Sequence, residues 1–316
     1  MSKLLLSLLP ICLLFLPSVE IARAEETLDF VRTRDVIYGR KDGLALTMDV
    51  IAPRDKANGL GLIFVVSSGW RSRPEAILPE MYAPFFRRGY TVFAVVHGTQ
   101  PRFTVPEIIP DMHRAVRFIR YHARDYHIDP DRLGITGGSA GGHLSLMIAT
   151  AGAAGNPRAK DPVERVSSRV QAVACFVPPT DFLNWGTEGA VLDSKHMKDK
   201  RFKAAIDFQL FDPNEHIFKR VTDDMKVHEI LRDISPISHV SRDDPPTLII
   251  HGDEDKLVPL QQSRRMVAKL KEAGVPASLI VKKGYGHVWI TILKDTETFA
   301  DWFDQYLKKE PRRAAE

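Results

Sequence analysis

The chain has 316 residues but little cysteine and little uninterrupted apolar sequence, and both shortages exclude classes of protein. Its two cysteines, Cys12 and Cys175, are too few for the several disulfides that hold a small secreted scaffold together. Outside residues 4–17, no apolar run approaches the roughly 20 residues of a membrane-spanning helix. The composition therefore favours a globular chain that is long enough to bury its own core.

Signatures of metal and nucleic-acid binding are also missing. The sequence has no His-x-x-x-His pair and no clustered carboxylates at ligand spacing, so it predicts no catalytic metal. The formal net charge is +4, and the charges are dispersed. The densest basic run comprises Lys195, Lys198, Lys200, Arg201 and Lys203. No nucleic-acid-binding module accompanies this run, so we interpret it as a solvated helix face and expect no nucleic-acid partner.

The first 24 residues have the pattern of a secretory signal peptide. Met1 to Lys3 is a short basic start, residues 4–17 are almost wholly apolar, and Ala22-Arg23-Ala24 offers small residues at a cleavage site. Fourteen apolar residues are too few to span a bilayer comfortably, so we expect no stable membrane anchor. Cleavage after Ala24 would leave a secreted or periplasmic chain with Cys175 as its only cysteine, a small side chain in an apolar run.

Short apolar runs alternate with helical patterns along the rest of the chain. Unbroken runs rich in Val and Ile are typical of strands in a parallel sheet, which are covered on both faces. These runs are GLIFVV, TVFAVV, RLGITG, VQAVACFV, PTLIIHG and SLIVKK. Before them, two strand-like stretches flank residues 41–43, which indicates a hairpin. The sequence thus predicts an α/β fold, with a mostly parallel central sheet, an antiparallel N-terminal hairpin and helices on both faces.

One interval interrupts this alternation. From about residue 178 to residue 236, no clear strand is present, and several aromatic residues lie among many charges. A long excursion in a compact domain is usually functional, as in a lid over an active site. We therefore expect a helical cap at 178–236, inserted in a single domain that spans residues 25–316.

The stretch ITGGSAGGHL places one serine, Ser139, among four glycines, between a predicted strand and a predicted helix. A phosphate-binding loop would need Lys and then Ser or Thr after the last glycine, but His143 follows Gly142. A dinucleotide fingerprint would need its glycines in the first strand-helix unit. The pattern that fits is Gly-x-Ser-x-Gly, in which a sharp turn presents a serine hydroxyl above the sheet. The amide of Ala140 then opens a helix and can bind a developing oxyanion.

A serine hydroxyl needs a base to take its proton and an acid to orient that base. Both residue types follow later strands. The strand PTLIIHG is followed by Asp253, Glu254 and Asp255, and the strand SLIVKK is followed by His287 in a glycine-rich loop. We therefore expect Ser139, His287 and one of these acids to meet at one edge of the sheet. We expect no cofactor, because this serine chemistry needs none.

With GGSAGG, HGDEDKLVP and GYGH, residues 30–308 resemble an α/β-hydrolase. The sequence is most similar in these motifs to secreted carboxylesterases of the feruloyl and acetyl-xylan esterase type, and more loosely similar to the hormone-sensitive-lipase group. In that family the acid is the second aspartate of HGxxD, which implies Asp255 here, with Asp253 as the alternative. The resemblance implies the catalytic residues Ser139, Asp255 and His287.

The loop VSSGW, residues 66–70, departs from the family pattern, and we call it the VSSGW loop. Such esterases usually carry His-Gly-Gly-Gly-Trp at this place. Because backbone amides form the oxyanion hole, the side chains of this loop can differ. The resemblance therefore still implies that the amide of Ser68 or Gly69 forms the oxyanion hole together with the amide of Ala140. The candidates for the pocket walls, two tryptophans and a histidine after a parallel strand, are Trp70, Trp185 and His97.

Together these features predict an exported serine esterase. Its expected substrate is a small-molecule or polysaccharide-linked ester with a short acyl or aryl group, cleaved through an acyl-enzyme. Two alternatives stay open at this point: a serine peptidase of the prolyl-oligopeptidase type and a binding protein on an inactive hydrolase scaffold. The sequence predicts no particular oligomeric state.

Overall fold

The computed structural model describes residues 29–308. The predicted signal peptide, residues 1–24, lies outside these described residues, so its cleavage stays a prediction. Within residues 29–308, no helix combines the length and the apolar character that crossing a membrane requires.

The described part of the chain forms ten strands and six α-helices. The strands are β1 (Phe30–Lys41), β2 (Leu44–Pro53), β3 (Gly61–Val65), β4 (Thr91–Val95), β5 (Leu133–Gly138), β6 (Ala172–Phe176), β7 (Gln209–Asp212), β8 (Ile217–Arg220), β9 (Thr247–Gly252) and β10 (Ala277–Lys282). The helices are α1 (Ala83–Arg87), α2 (Val105–Tyr121), α3 (Ala140–Ala151), α4 (Asp224–Asp233), α5 (Leu260–Glu272) and α6 (Ile292–Leu307).

Eight strands form one sheet in the order β1-β2-β4-β3-β5-β6-β9-β10. The pairs β1–β2 and β2–β4 are antiparallel, and every other neighbouring pair is parallel. The turn between β1 and β2 consists of Asp42 and Gly43, whose φ angles of +45° and +79° suit a tight two-residue hairpin turn. The predicted fold, a mostly parallel sheet that begins with an antiparallel hairpin, is confirmed.

Helices cover both faces of this sheet, as predicted. In β9, Leu248 and Ile250 pack into the core beneath α1 and α6, whereas Ile249 packs into the core beneath α2, α3 and α5. This alternation follows from the two-residue period of a strand. Cys175 of β6 is fully buried in the core with Ile249, and burial raises the pKa of its thiol.

Helix α6 reaches the centre of the sheet through Phe303. This ring is fully buried and lies 6.1 Å, centroid to centroid, from Phe85 of α1. It also covers Gly134 of β5, where a Cβ atom would lie 2.8 Å from the ring. Glycine at this position therefore lets α6 pack tightly on the strand that leads to Ser139.

The connection between β6 and β9 contains the segment for which the sequence predicts a helical cap. This segment is less helical than expected, since it holds α4, the two-stranded ribbon β7–β8 and short 3₁₀ turns. Both strands of the ribbon are exposed, so they lack the unbroken apolar runs that mark buried strands. The Asp212 carboxylate accepts hydrogen bonds from the amides of Asn214 and Glu215, which stabilises the turn between the two strands.

Replacement of the central aromatic ring of α6 is expected to destabilise the fold. Phe303→Ala should lower the free energy of unfolding by about 3–5 kcal/mol, because it leaves a cavity between α6 and Gly134. Urea denaturation followed by tryptophan fluorescence measures this change. Phe218→Ala is the matched control, because the Phe218 side chain in the ribbon is 63% exposed and its loss should change stability little. Equal effects of the two substitutions would contradict this packing.

Candidate active site

Three loops at the carboxyl ends of parallel strands bring a serine, a histidine and an aspartate into contact. Ser139 follows β5, Asp255 lies in the loop after β9, and His287 lies in the loop after β10. His287 Nε2 is 2.9 Å from Ser139 Oγ, and His287 Nδ1 is 2.7 Å from Asp255 Oδ2. The arrangement can pass a proton from a serine hydroxyl to an imidazole that an aspartate orients.

Ser139 occupies a strained turn between β5 and α3. Its φ and ψ angles are +54° and −120°, a backbone region that non-glycine residues rarely adopt. The glycines of the motif permit the turn: a Cβ atom on Gly137 would lie 2.6 Å from the carbonyl carbon of Gly141, and one on Gly141 would lie 2.8 Å from the Val65 carbonyl oxygen. The spacing Gly-x-Ser-x-Gly is therefore needed for the close approach of β5, α3 and β3.

The carboxylate of Asp255 is buried, and both of its oxygens have hydrogen-bond partners. Oδ1 accepts hydrogen bonds from the amides of Leu257 and Val258, at 2.8 and 2.9 Å, and Oδ2 also lies 3.3 Å from His251 Nε2. Burial alone would raise the pKa of Asp255, but hydrogen bonds from His251, from His287 and from the Val258 amide lower it below its usual range. Asp255 therefore remains ionised and can stabilise a positive charge on His287.

Asp253, the alternative acid, points elsewhere. Its Oδ1 accepts a hydrogen bond of 2.7 Å from the amide of Gly284, and its Oδ2 lies 3.4 Å from Lys283 Nζ. Both carboxylate oxygens thus serve the turn that follows β10. The structure brings Asp255, and not Asp253, to the imidazole of His287.

The VSSGW loop forms a tight turn whose amides differ in their availability. Ser68 and Arg71 exchange two backbone hydrogen bonds of 2.9 and 3.0 Å, and Gly69 and Trp70 between them have φ angles of +56° and +59°. The Ser68 amide is therefore already paired, and Ser68 does not line the cavity beside Ser139. Gly69 and Ala140 do line it. Ala140 is the first residue of α3, so its amide has no hydrogen-bond acceptor within the helix.

Gln100, which follows β4, holds the VSSGW loop in place. This side chain is buried, and its Nε2 donates hydrogen bonds to the carbonyl oxygens of Gly69, at 2.9 Å, and Arg201, at 2.7 Å. Its backbone amide donates to the Trp70 carbonyl at 3.1 Å. Gln100 thereby joins the loop beside Ser139 to the segment between β6 and β9.

A cavity of 430 Å³ opens beside Ser139. Its walls come from the VSSGW loop, the segment between β6 and β9, and the loop after Asp255. The lining residues are Gly69, Trp70, Ser139, Ala140, Pro179, Trp185, Leu192, His196, Met197, Lys198, Asp199, Phe202, Lys256, Leu257 and Val258.

Both predicted pocket tryptophans line this cavity. Trp70 is buried, and its indole N–H donates a hydrogen bond of 3.2 Å to His143 Nδ1. Phe182 lies between the two indoles, with its centroid 6.1 Å from that of Trp70 and 6.0 Å from that of Trp185, which stacks on it. Packing in this cluster fixes the orientation of two walls of the cavity.

His97, the third predicted pocket residue, is not brought to the cavity. It is buried, its Nδ1 lies 2.6 Å from the Gly98 carbonyl oxygen, and its amide donates to Ser72 Oγ. The strand before it does end at the same edge of the sheet as the site. However, His97 does not line the cavity. Its amide contacts Ser72, whose hydroxyl donates to the Val66 carbonyl oxygen, so His97 supports the VSSGW loop through Ser72.

The basic run from Lys195 to Lys203 is not the helix face that the sequence suggested. Residues 195–202 form no helix, and a short 3₁₀ turn begins only at Lys203. Lys198 of this run lines the cavity. Sequence reasoning therefore missed that part of the run borders the candidate site.

Three further residues of the site were missed in the sequence. Gln100 and Lys256 lie in the loops after β4 and β9, and their position at the carboxyl edge of the sheet is a signal that could have found them. Phe202 packs over Gly69, where any Cβ atom would meet the phenyl ring. No local pattern marks Phe202, because only the folded chain brings it to the VSSGW loop.

The widest of the other clefts does not repeat this chemistry. A wider cleft of 1160 Å³ lies between β1 and α2, but its lining contains no Ser, Thr or Cys. Its charges are largely paired, as in the ion pair of Lys41 with Asp111 and those of Arg114 and Arg117 with Glu164. Within the same residues, no three His, Cys, Asp or Glu side chains are grouped so that they could hold a metal ion.

The comparison with protein families gives a match over most of the chain. The model of the BD-FAE family matches residues 48–270, a range that contains Ser139 and Asp255 and ends before His287.

Two similar proteins come from Mycobacterium tuberculosis. Esterase LipQ is 29% identical over 252 residues, which is 77% of this chain and 53% of LipQ. The probable carboxylic ester hydrolase LipM is 33% identical over 184 residues, which is 58% of this chain and 38% of LipM. The chain thus spans about half the length of these relatives or less.

Among solved structures, a truncated carbohydrate esterase from gut microbiota is similar in fold. It superposes with a TM-score of 0.69 at 25% identity and covers 89% of this chain and 98% of its own.

Two buried histidines and one half-buried histidine make the stability of the fold sensitive to acid. Burial lowers the pKa values of His97, His113 and His143 to about 4. In the unfolded chain these pKa values return to about 6.5, so below that pH the unfolded state binds protons that the folded state does not. We expect the free energy of unfolding to fall between pH 6.5 and 4, by about 2 kcal/mol for each histidine at pH 5.

Urea denaturation at pH 7 and at pH 5 measures this loss. His113→Asn should make the loss smaller, because one of the three titrating groups is gone. His216→Asn is the control, since His216 is exposed and its replacement should leave the pH dependence unchanged. Equal stability of the wild-type protein at both pH values would contradict the assignment of neutral, buried imidazoles.

Proposed function

Because this chain belongs to the BD-FAE family of α/β-hydrolases, we propose that it is a serine hydrolase of carboxylic esters. The observation that carries this proposal is the hydrogen-bonded chain from Ser139 through His287 to Asp255, which opens onto an apolar cavity. The likeness to an esterase and to a probable carboxylic ester hydrolase over more than half of the chain supports the same reaction.

The reaction proceeds in two steps. Ser139 Oγ attacks the carbonyl carbon of the ester while His287 Nε2 takes the hydroxyl proton. The same nitrogen then protonates the leaving alcohol, and the acyl group remains on Ser139. In the second step a water molecule gives a proton to His287 and attacks the acyl-enzyme, which releases the acid and restores Ser139. Asp255 orients His287 and stabilises its charged form in both steps.

The negative charge that develops on the carbonyl oxygen needs donors beside Ser139. Gly69 of the VSSGW loop and Ala140 at the start of α3 both line the cavity, so we assign their amides as these donors. The Ser68 amide is committed to Arg71, so we assign no role in the oxyanion hole to Ser68. Amides fixed in this way stabilise the tetrahedral intermediate without reorganising during the reaction.

A cavity of 430 Å³ with aromatic and aliphatic walls suits a short acyl or aryl group. The similar structure described as a carbohydrate esterase supports a carbohydrate-linked ester as the natural substrate. With cleavage after Ala24, such a substrate would be met outside the cytoplasm.

Removal of the serine hydroxyl is expected to abolish turnover. Ser139→Ala should lower kcat on 4-nitrophenyl acetate by about 10⁴-fold or more, because the nucleophile is lost while the fold is retained. The assay is run beside a Gly-Pro 4-nitroanilide, and labelling by a fluorophosphonate reports the reactive serine. Ester cleavage that survives in Ser139→Ala protein would falsify the proposal. Anilide cleavage in preference to ester cleavage would move the protein to the peptidases.

The two aspartates of the loop after β9 provide the matched control. Asp255→Asn should lower kcat by about 10³- to 10⁴-fold, because His287 loses the charge that orients it. Asp253→Asn removes the same charge two residues away, where the carboxylate serves only a turn, and should leave kcat close to the wild-type value. Similar losses of kcat in the two variants would contradict the assignment of Asp255 as the residue that orients His287.

Gln100 is expected to act as a positioning residue for the VSSGW loop. Gln100→Met keeps the length of the side chain but removes the hydrogen-bond donor. The Gly69 carbonyl oxygen then lacks a partner, which should lower the free energy of unfolding by about 1–3 kcal/mol. We expect kcat to fall about tenfold or more while KM for a small ester changes little, because the displaced Gly69 amide acts in the transition state. Gln209→Met, in the exposed strand β7, is the control. A loss of stability with unchanged kcat would make Gln100 a purely structural residue.

A further inference from the structure

The cavity beside Ser139 is apolar inside and basic where it meets solvent. Of the residues that line it, three are exposed, His196, Lys198 and Lys256, and all three are basic. The other lining residues are buried or half-buried, and most of them are apolar. A bound ester therefore has its reacting group among apolar walls and its solvent-facing end near two lysines.

The two lysines differ from the other charged residues of the lining in having no partner. His196 Nδ1 lies 2.8 Å from Asp193 Oδ1, and Asp199 is held by Arg201 at 2.6 Å. Neither Lys198 nor Lys256 forms a hydrogen bond or an ion pair through its ammonium group within residues 29–308. The positive charges of these two lysines are thus not neutralised by an ion pair.

The sequence around Lys198 strengthens this positive field. Between residues 195 and 203, the only acid is Asp199, and Arg201 already neutralises it. Lys195 is paired with Asp224 at 2.5 Å, but Lys200 has no such partner among the described residues. Uncompensated charges of one sign at the edge of a low-dielectric cleft attract and orient a ligand of opposite sign.

We propose that the substrate of this site is an ester that also carries a carboxylate, bound with its ester group at Ser139 and its carboxylate between Lys198 and Lys256. This inference rests on the proposed esterase function and adds the chemical class of the substrate to it. A carboxylate suits the opening because both lysines are exposed, so the anion keeps part of its hydration and does not have to be fully desolvated.

The effect of each lysine is modest and depends on salt. An exposed charge pair changes binding by a factor of up to about five. Replacement of both lysines should therefore lower the preference for an anionic ester by about tenfold or somewhat more. Because the screening length is about 10 Å at 0.1 M salt, the preference of the wild-type protein should also fall as salt is raised.

The test compares anionic and neutral esters of matched shape. One pair places the charge on the leaving alcohol, 4-acetoxybenzoate against methyl 4-acetoxybenzoate. The other places it on the acyl group, 4-nitrophenyl hemiadipate against 4-nitrophenyl hexanoate. The measured quantity is the ratio of kcat/KM for the anionic ester to kcat/KM for the neutral ester, in the wild-type protein and in the double variant Lys198→Met, Lys256→Met.

We expect this ratio to fall about tenfold in the double variant for at least one pair, which also tells on which side of the ester the carboxylate lies. Lys200→Met is the matched control, since it removes the same charge from the same run without touching the cavity, and it should leave the ratio nearly unchanged. Lys198→Arg with Lys256→Arg should restore the preference, because the charge is restored.

Two outcomes separate the inference from the function on which it rests. Hydrolysis of the neutral esters with the same ratio in the wild-type protein and the double variant would overturn the inference and leave the esterase proposal intact. A fall of the ratio in Lys200→Met as large as in the double variant would also overturn it, because the preference would then arise from the overall positive charge of the surface and not from the two lysines of the cavity. No hydrolysis of any ester by the wild-type protein would overturn both.

Discussion

The strained turn at Ser139 is the constraint on which the rest of the site depends. A serine with a φ angle of +54° persists only where its surroundings hold it, and here β5, α3 and β3 approach one another so closely that only glycine fits at Gly137 and Gly141. Helix α3 is buried along almost its whole length, and the Ser139 amide donates to the Phe176 carbonyl of β6. The packing of the sheet against α3 thus stabilises a backbone conformation of Ser139 that would be unfavourable in an isolated peptide.

The parts of the molecule that the sequence predicts well are those that local patterns determine. The glycines around Ser139, the unbroken apolar runs of the parallel strands and the Asp42-Gly43 turn each reflect a conformation of neighbouring residues. The choice of Asp255 over Asp253 came only from a family resemblance, since two carboxylates two residues apart look alike in a sequence. Their different hydrogen-bond partners appear only once β9 and β10 lie side by side.

The parts that the sequence predicts poorly depend on contacts between distant segments. The ribbon β7–β8 is exposed on both faces and lacks the apolar run of a buried strand. The Ser68 amide is a plausible donor in the sequence, but the turn pairs it with Arg71. His97 follows a strand that ends at the same edge of the sheet as the site, but it does not line the cavity. The basic run shows its relation to the cavity only because the chain between β6 and β9 folds back over Ser139.

The hydrogen bonds of Gln100 tie two parts of the protein to one another through a single amide group. Gly69 belongs to the loop that faces the reacting carbonyl, and Arg201 belongs to the segment that forms the far wall of the cavity. The same segment carries Lys198, where the solvent-facing end of a ligand lies, and Phe202, which rests on Gly69. Through Gln100, the wall proposed to bind the distal end of a substrate is therefore joined to the loop proposed to bind its carbonyl oxygen, so we expect a displacement of one to be transmitted to the other.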